Sequence, residues 1–170
     1  MPSTMAASFT IRPATIAALD HELFIDLRDS QIPWLSSVGS GDQWGTKPTR
    51  EVNPAASERT RPWVERSEQN APWSPDWCRA FVAESNEGVP LAGLVLDSKA
   101  PKYVNSVLPE QDDNDPFVYL AYLISNRHAG DEKKGAVAAL MALAKDQVSG
   151  LGLSRICLDC WRGNDRKLVQ

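Results

Sequence analysis

The 170-residue sequence has few cysteines, no long apolar run and no excess of basic residues. Its three cysteines are too few, and odd in number, for the disulfide framework of a secreted protein. No segment approaches the roughly 18 apolar residues of a membrane span, and residues 1–8 lack the basic and apolar regions of a signal peptide. The formal net charge of −4 disfavours contact with nucleic-acid phosphates. We therefore expect a cytoplasmic protein that binds neither membranes nor nucleic acid.

Two of the cysteines, Cys157 and Cys160, form a C-x-x-C pattern. They lie in a segment, 155–161, that is predicted to be a strand, where residues three apart point to opposite faces. No second C-x-x-C occurs, and the only histidines are His21 and His128. The pattern therefore favours buried structural cysteines, with a redox pair or part of a metal site as the alternative.

The length and the composition, with 42% hydrophobic and 24% charged residues, indicate one globular domain over residues 1–170. Periodicity and turn residues predict its elements. They are a strand at 9–13, a helix from Thr15 that ends at Pro33, a loop at 36–56, a helix at 60–69, strands at 78–84, 91–97 and 117–124, a helix from Lys134 to Gly150, and a strand at 155–161.

The loop between the strand at 117–124 and the helix after it combines glycine with basic residues. A helix N-terminus presents free N–H groups and the positive end of the helix dipole. Gly130 and Gly135 allow close backbone approach, and Lys133 and Lys134 can neutralise negative charge. This arrangement predicts a site for a pyrophosphate.

The same segment lacks the G-x-G-x-x-G of dinucleotide sites and the Lys-Ser/Thr of a P-loop. It resembles the R/Q-x-x-G-x-G/A signature of the GNAT superfamily of acyl-CoA-dependent N-acyltransferases, in the frame Glu132-Lys-Lys-Gly-Ala-Val137. Gly135 keeps the central position of the signature, whereas Glu132 and Val137 depart from it. The opening Ile11-Arg-Pro-Ala-Thr15 also resembles the family's first strand and helix entry.

The resemblance implies an α/β (α+β) fold with a mixed, mostly antiparallel central sheet flanked by helices. It implies that acetyl-CoA is the co-substrate and that no metal is needed. Pantetheine is expected against the end of the strand at 117–124 and the pyrophosphate over the glycine loop. The residues expected to bind the coenzyme are Leu123, Ile124, Ser125, Ala129, Gly130, Lys133, Lys134, Gly135, Ala136, Val137, Asn164 and Lys167.

For the chemistry, the resemblance implies direct attack of an amine on the thioester, with a small-molecule amine or a peptide as acceptor. The usual glutamate is missing from the strand at 117–124, so Tyr122 is expected to orient the reactants. Glu84 or Asp97, on neighbouring strands, is expected to act as a base through water. The alternative is a non-catalytic CoA-binding or interaction domain that kept the fold.

In the resembled family, a tyrosine usually acts as the acid that protonates the leaving thiolate. That tyrosine lies on a helix that follows the segment with which this sequence ends. We therefore expect that the sequence, which ends at Gln170, lacks the last helix and strands of this fold. The sheet edge left open in this way is expected to favour a homodimer. In the loop at 36–56, Trp44 is expected to border the acceptor side of the pocket, or else to anchor the loop. The acidic run 110–115 favours a cationic acceptor.

Overall fold

A computed structural model describes residues 8–160 and Gly163. Strands at nearly the expected positions form one sheet in the described chain. They are β1 (Phe9–Pro13), β2 (Cys78–Ser85), β3 (Pro90–Asp97), β4 (Phe117–Ser125) and β5 (Arg155–Cys157). Their order in the sheet is β1-β2-β3-β4-β5. Neighbouring strands are antiparallel up to β4, and β4 and β5 are parallel. The expected mixed, mostly antiparallel sheet is confirmed.

Helices cover both faces of this sheet. They are α1 (Asp20–Asp29), α2 (Ile32–Ser37), α3 (Thr49–Val52), α4 (Arg61–Gln69) and α5 (Ala136–Gly150), with short 3-10 segments at Ala56–Arg59, Lys102–Val104 and Arg127–Lys133. On one face, α5 places Leu140 and Ala144 against Leu94 and Val118. On the other, Phe24 of α1 and Val64 of α4 pack on Val82, Val95 and Tyr122. The two apolar clusters enclose the central strands, which stabilises the sheet.

Gly93 of β3 lies where α1 approaches the sheet closely, which explains why this position carries no side chain. A Cβ at Gly93 would lie 2.8 Å from Cε1 of Phe24. Any larger side chain would therefore displace the aromatic ring that anchors α1 to the sheet. The glycine positions α1 directly beside β4, whose later residues form the candidate site.

The first helix begins later than expected. Thr15 does not cap it, because its Oγ1 accepts a hydrogen bond from Ala18 N–H (3.2 Å) within a separate turn. Leu19 then adopts a left-handed conformation with φ 58°, and helix α1 starts at Asp20. Leu19 is 59% exposed, and the predicted start of the helix at Thr15 is wrong. The carboxylate of Asp20 instead binds Arg12 and the backbone N–H of Thr15.

The segment after α1 contains more helix than expected. Pro33 does not end the helical region, because it lies in the first turn of α2, where its missing N–H costs no hydrogen bond. The predicted loop at 36–56 includes α3, whose Thr49 N–H and hydroxyl both bind the carboxylate of Asp29. These contacts tie the segment to α1, which composition alone does not reveal.

The last strand is shorter than predicted, since it ends at Cys157 and not at Trp161, a residue outside the described part of the chain. All three cysteines are free, but only Cys78 is buried. Cys157 is half-buried and Cys160 is exposed, so their expected structural burial is wrong. Because this strand is short, much of β4 has no partner on that side among the residues that the structure describes.

Candidate functional site

The sheet opens between β4 and β5. Strand β5 pairs with only three residues of β4, the segment 117–119. From Leu120 to Ser125, β4 continues beside β3 while its other edge has no strand partner among the described residues. The pairing with β3 shifts between Val95 and Leu96, which leaves Ala121 as an extra residue. Unpaired backbone N–H and C=O groups at this edge are available to a ligand with amide groups.

A cavity of about 1080 Å³ occupies this opening. Its walls come from α1, the segment around Trp44, the start of α4, the second half of β4 and the residues just after β5. The lining residues are Phe24, Ile25, Arg28, Gln43, Trp44, Thr49, Ala56, Arg59, Thr60, Trp63, Tyr103, Tyr119, Leu120, Ala121, Tyr122, Leu123, Ile124, Met141, Leu158, Asp159 and Cys160. Because Met141 belongs to α5, the opening reaches from one face of the sheet to the other.

A second, smaller cavity of about 300 Å³ adjoins the first toward the start of α5. The two share Gln43, Trp44, Leu123 and Ile124, and the second adds Gln31, Trp34, Leu35, Ser125 and Val137. The structure therefore brings together four residues expected to bind the coenzyme: Leu123, Ile124, Ser125 and Val137. Trp44 lines both cavities, and its role toward the acceptor stays a prediction.

The N-terminus of α5 is open to a ligand. Its N-cap, Gly135, has φ 84°, and no side chain caps the first turn. Ala136 is buried in the core, so only its backbone can contact a ligand, and Ala129 packs beside the same core. Gly130 has φ 58° and open space around it. Free N–H groups at the start of a 15-residue helix are suited to an anion.

The basic residues of this loop differ in exposure. Lys134 is exposed and Lys133 is half-buried, and no ion pair joins either to another described residue. Glu132, which occupies the first position of the resembled signature, is exposed as well. Asn164 and Lys167, also expected to bind the coenzyme, lie outside the described residues.

Two residues expected to act in catalysis are occupied by structural contacts. The hydroxyl of Tyr122 donates to the carbonyl of Phe24 (2.7 Å), and burial raises the pKa of this tyrosine well above its ordinary value. Its ring lines the larger cavity. Glu84 accepts a hydrogen bond from Arg12 Nε (2.9 Å) and is not among the residues that line either cavity.

Asp97, the other carboxylate considered as a base, is also structural. Both of its oxygens accept hydrogen bonds from Arg66, each at 2.9 Å, and the side chain is buried. A buried carboxylate held in this bidentate way is neutralised by the guanidinium. Arg66 also donates to the carbonyl of Trp77 (3.0 Å), so the ion pair links α4 to the ends of β2 and β3.

The carboxylate that does lie in the cavity is Asp159, which the sequence reasoning missed. It accepts hydrogen bonds from the hydroxyls of Tyr119, at short range, and of Tyr103 (3.4 Å). Burial and the hydrogen bond to Asp159 raise the pKa of Tyr119, which keeps its phenol protonated. Tyr119 is the last residue of β4 that pairs with β5, so Asp159 stands where the sheet opens. The available signal was an acidic residue within the segment 155–161, which was predicted to be a strand.

Two arginines on the opposite wall were also missed. The guanidinium of Arg28 lies 5.2 Å from the centre of the Trp44 ring, and its buried Nε has no hydrogen-bond partner within the described part of the chain. Arg59 lines the same cavity. The pKa of Arg28 is lowered first by burial; Asp29 opposes this effect and Arg59 adds to it. The described residues contain no cluster of three or more histidine, cysteine or acidic side chains able to hold a metal.

No protein-family model matches the sequence, and no curated protein matches it at a significant level. Solved structures do match. An aminoglycoside 6'-N-acetyltransferase, AAC(6')-Ih from Acinetobacter baumannii, has a TM-score of 0.55 at 12% identity, over 92% of this chain and 82% of that one. AAC(6')-Iy, solved with the bisubstrate analogue CoA-S-monomethyl-acetylneamine, has a TM-score of 0.54 at 16% identity, over 92% of this chain and 82% of that one.

A GNAT-family acetyltransferase from Listeria monocytogenes 4b F2365 has a TM-score of 0.57 at 17% identity, over 92% of this chain and 79% of that one. At such low identities the likeness shows the fold and not the reaction. The fold expected from the Gly135 frame is thereby confirmed as that of the GNAT acetyltransferases. No helix among the described residues is long and apolar enough to cross a bilayer.

Proposed function

We propose that the chain is an N-acetyltransferase that transfers the acetyl group of acetyl-CoA to an amine of a small-molecule or peptide acceptor. One observation carries the proposal: the second half of β4 presents an edge that no described strand pairs with, beside a cavity that passes through the sheet. Such an opening lets a thioester reach the strand from the α5 face while an amine approaches from the α1 face. The structural neighbour that holds a CoA bisubstrate analogue supports the assignment.

The residues present fit the coenzyme. The free edge at Leu123, Ile124 and Ser125 offers backbone partners to the amides of pantetheine. The uncapped start of α5 at Gly135 offers N–H groups to the pyrophosphate. Ala129, Gly130, Lys133, Lys134, Ala136 and Val137 complete this proposed coenzyme site, with Asn164 and Lys167 as further members.

For the transfer, acetyl-CoA supplies an activated acyl group, and the new C–N bond replaces its C–S bond. The chain holds the two reactants together, which is the largest contribution to the rate. Asp159 accepts the proton that the amine releases, directly or through one water molecule, and Tyr119 and Tyr103 hold its carboxylate in place. This assignment is better supported than one with Glu84, whose partner is Arg12, while Tyr122 shapes the cavity wall.

The test of the coenzyme site uses a matched pair at Gly135. Both Gly135→Asp and Gly135→Asn must adopt the same positive φ and have nearly the same shape, but only aspartate adds negative charge at the helix N-terminus. By calorimetry, we expect Gly135→Asp to bind acetyl-CoA at least tenfold more weakly than Gly135→Asn. Equal affinities would remove this helix start from the site.

The test of the reaction measures release of the CoA thiol with a panel of amines. We expect amine-dependent release, and a loss of at least tenfold in kcat for Asp159→Asn with unchanged acetyl-CoA affinity. Acetyl-CoA binding without release for any amine would instead identify a non-catalytic CoA-binding domain. A cytoplasmic location and a homodimer remain predictions, which cell fractionation and light scattering would test.

A further inference from the structure

The wall of the larger cavity that faces away from α5 carries two arginines without acidic partners. Arg28 comes from α1 and Arg59 from the 3-10 segment Ala56–Arg59. Neither guanidinium forms a hydrogen bond or an ion pair with a described residue, and Nε of Arg28 is buried. Burial lowers the pKa of Arg28; the nearby Asp29 opposes this effect and Arg59 adds to it. A ligand that brings negative charge would relieve this cost.

Most other arginines of the described chain have assigned partners. Arg12 binds Asp20 and Glu84, Arg50 binds Glu22 and Asp26, Arg61 lies near Glu58 and Glu65, Arg66 binds Asp97, and Arg155 pairs with Asp115. Arg79 donates to backbone carbonyls, and Arg127 donates to Gln31 and stacks on Trp34. Among the described arginines, Arg28 and Arg59 are the two whose guanidinium groups make neither a hydrogen bond nor an ion pair, and both line one cavity, which indicates a binding function.

The position of Arg28 is also fixed. Its guanidinium stacks on the Trp44 ring at 5.2 Å, a contact that holds the charge beside the cavity without neutralising it. Trp44 thus has a role besides that of a lid residue, because it orients the cation. Arg59 is exposed to solvent and remains free to move toward a ligand.

The cavity contains one acidic side chain among its described lining residues, Asp159, which follows β5. The arginines come from the opposite wall, formed by α1 and the segment before α4. The acidic run at 110–115 does not line the cavity, so the cationic acceptor that it suggested receives no support from the site. The charges that face the cavity are two positive and one negative.

We infer that the acceptor is an amine that also carries an anionic group, a carboxylate or a phosphate, which Arg28 and Arg59 bind while the amine lies toward Asp159. This inference rests on the proposed acetyl transfer and adds the substrate class. Arginine binds both kinds of anion through paired N–H donors. The same two cations repel a polycationic acceptor, which gives specificity by exclusion.

Anion binding tests the inference without any turnover. Inorganic phosphate and malonate are titrated by calorimetry into the chain saturated with CoA, so that the phosphate sites of the coenzyme are filled. We expect binding of at least one anion in the millimolar range, weakened at least fivefold by Arg28→Gln and by Arg59→Gln. Lys145→Gln, which removes an exposed positive charge on α5, should leave it unchanged.

Absence of heat with both anions, or equal affinities in the two arginine variants and Lys145→Gln, would overturn the inference. Because Arg59 is exposed, Arg59→Gln keeps the test informative if Arg28→Gln does not fold. If the chain does not bind CoA, the proposed function fails separately, and the titration is repeated without CoA to judge the arginine site alone.

A second test compares pairs of amine acceptors that differ in an anionic group. Glucosamine 6-phosphate is compared with glucosamine, glycine with glycinamide, and an aminoglycoside serves as the polycation. We expect at least a tenfold lower KM for the anionic member of one pair, and loss of this preference in Arg59→Gln. The phosphate and carboxylate pairs distinguish the two anions. Equal or better use of neutral amines or the aminoglycoside would contradict the inference while leaving the acetyl transfer intact; if no amine is used, the anion titration decides.

Discussion

The two halves of β4 differ in structure although both are apolar in sequence. Residues 117–119 are buried and pair with β5, and Tyr119 also pairs with β3. Among the described strands, residues 120–125 pair with β3 alone; most of these residues are half-buried, and they face the cavity. The difference teaches that the function of this strand depends on its neighbour: β5 ends after three residues and leaves the edge free. The first half stabilises the fold, and we assign ligand binding to the second.

The largest expected effect on stability lies in the paired half. Phe117 is 1% exposed, and truncation of a buried aromatic ring leaves a cavity. We expect Phe117→Ala to lower the free energy of unfolding by about 3–5 kcal/mol. The matched change in the open half, Leu123→Ala, should cost less than half as much because Leu123 is only partly buried. Urea denaturation measures both, and equal losses would remove the distinction between the halves.

The two aspartates near β4, Asp97 and Asp159, should likewise differ in how much they contribute to the stability of the fold. Asp97 pairs in register with Tyr119 and binds Arg66, so Asp97→Asn breaks a buried ion pair and should cost about 3 kcal/mol of stability. Asp159→Asn should change the free energy of unfolding by less than about 1 kcal/mol, because it replaces a partner of two tyrosine hydroxyls at the cavity. Thermal and urea unfolding compare them. A larger loss of stability for Asp159→Asn than for Asp97→Asn would show that Asp159, and not Asp97, is the structural carboxylate.

A larger side chain in residues 120–125 of β4, the open half, should weaken the binding of acetyl-CoA. Ala121 is the extra residue in the pairing of β3 with β4 and lines the larger cavity. We expect Ala121→Phe to lower acetyl-CoA affinity about tenfold, or about 1.4 kcal/mol, by occupying part of the opening. The control is Ala142→Phe at an exposed position of α5, which should leave the affinity unchanged. Equal affinities for the two variants would place the coenzyme elsewhere.

The smallest effect concerns the cysteines. Burial raises the pKa of the Cys78 thiol to about 12, whereas Cys160 is exposed at the cavity. Because the folded pKa exceeds the unfolded value of about 8.5, the thiol stabilises the fold below that pH, and this contribution is lost as the pH rises toward about 12. In a thiol-labelling time course at pH 8, Cys160 should react first and Cys78 last. Rapid labelling of Cys78 in the folded chain would contradict its burial.

Much of the fold was predictable because it depends on local patterns. The apolar runs of β2, β3 and β4 and the stripe of α5 identify the sheet and its main helix, and Gly135 marks the helix start. The left-handed Leu19 that delays α1 and the early end of β5 were not predictable, since both depend on tertiary contacts.

The candidate site was predictable only in part. Segments 123–125 and 129–137 belong to a recognisable strand-loop-helix unit, so their proximity follows from chain order. Arg28, Arg59 and Asp159 come from three separate segments, and only the packed structure brings them to one cavity. The carboxylates considered from sequence, Glu84 and Asp97, lie on apolar strands but are paired with arginines, a compensation that the sequence does not display.

Backbone amide hydrogen exchange with and without acetyl-CoA tests the central claim most directly, because it reads both halves of β4 at once. We predict that acetyl-CoA slows exchange at free-edge amides within 121–125 and at the first N–H groups of α5, and leaves 117–119 unchanged, since those residues already lie in the paired half. Binding of acetyl-CoA without new protection at 121–125 would contradict the account.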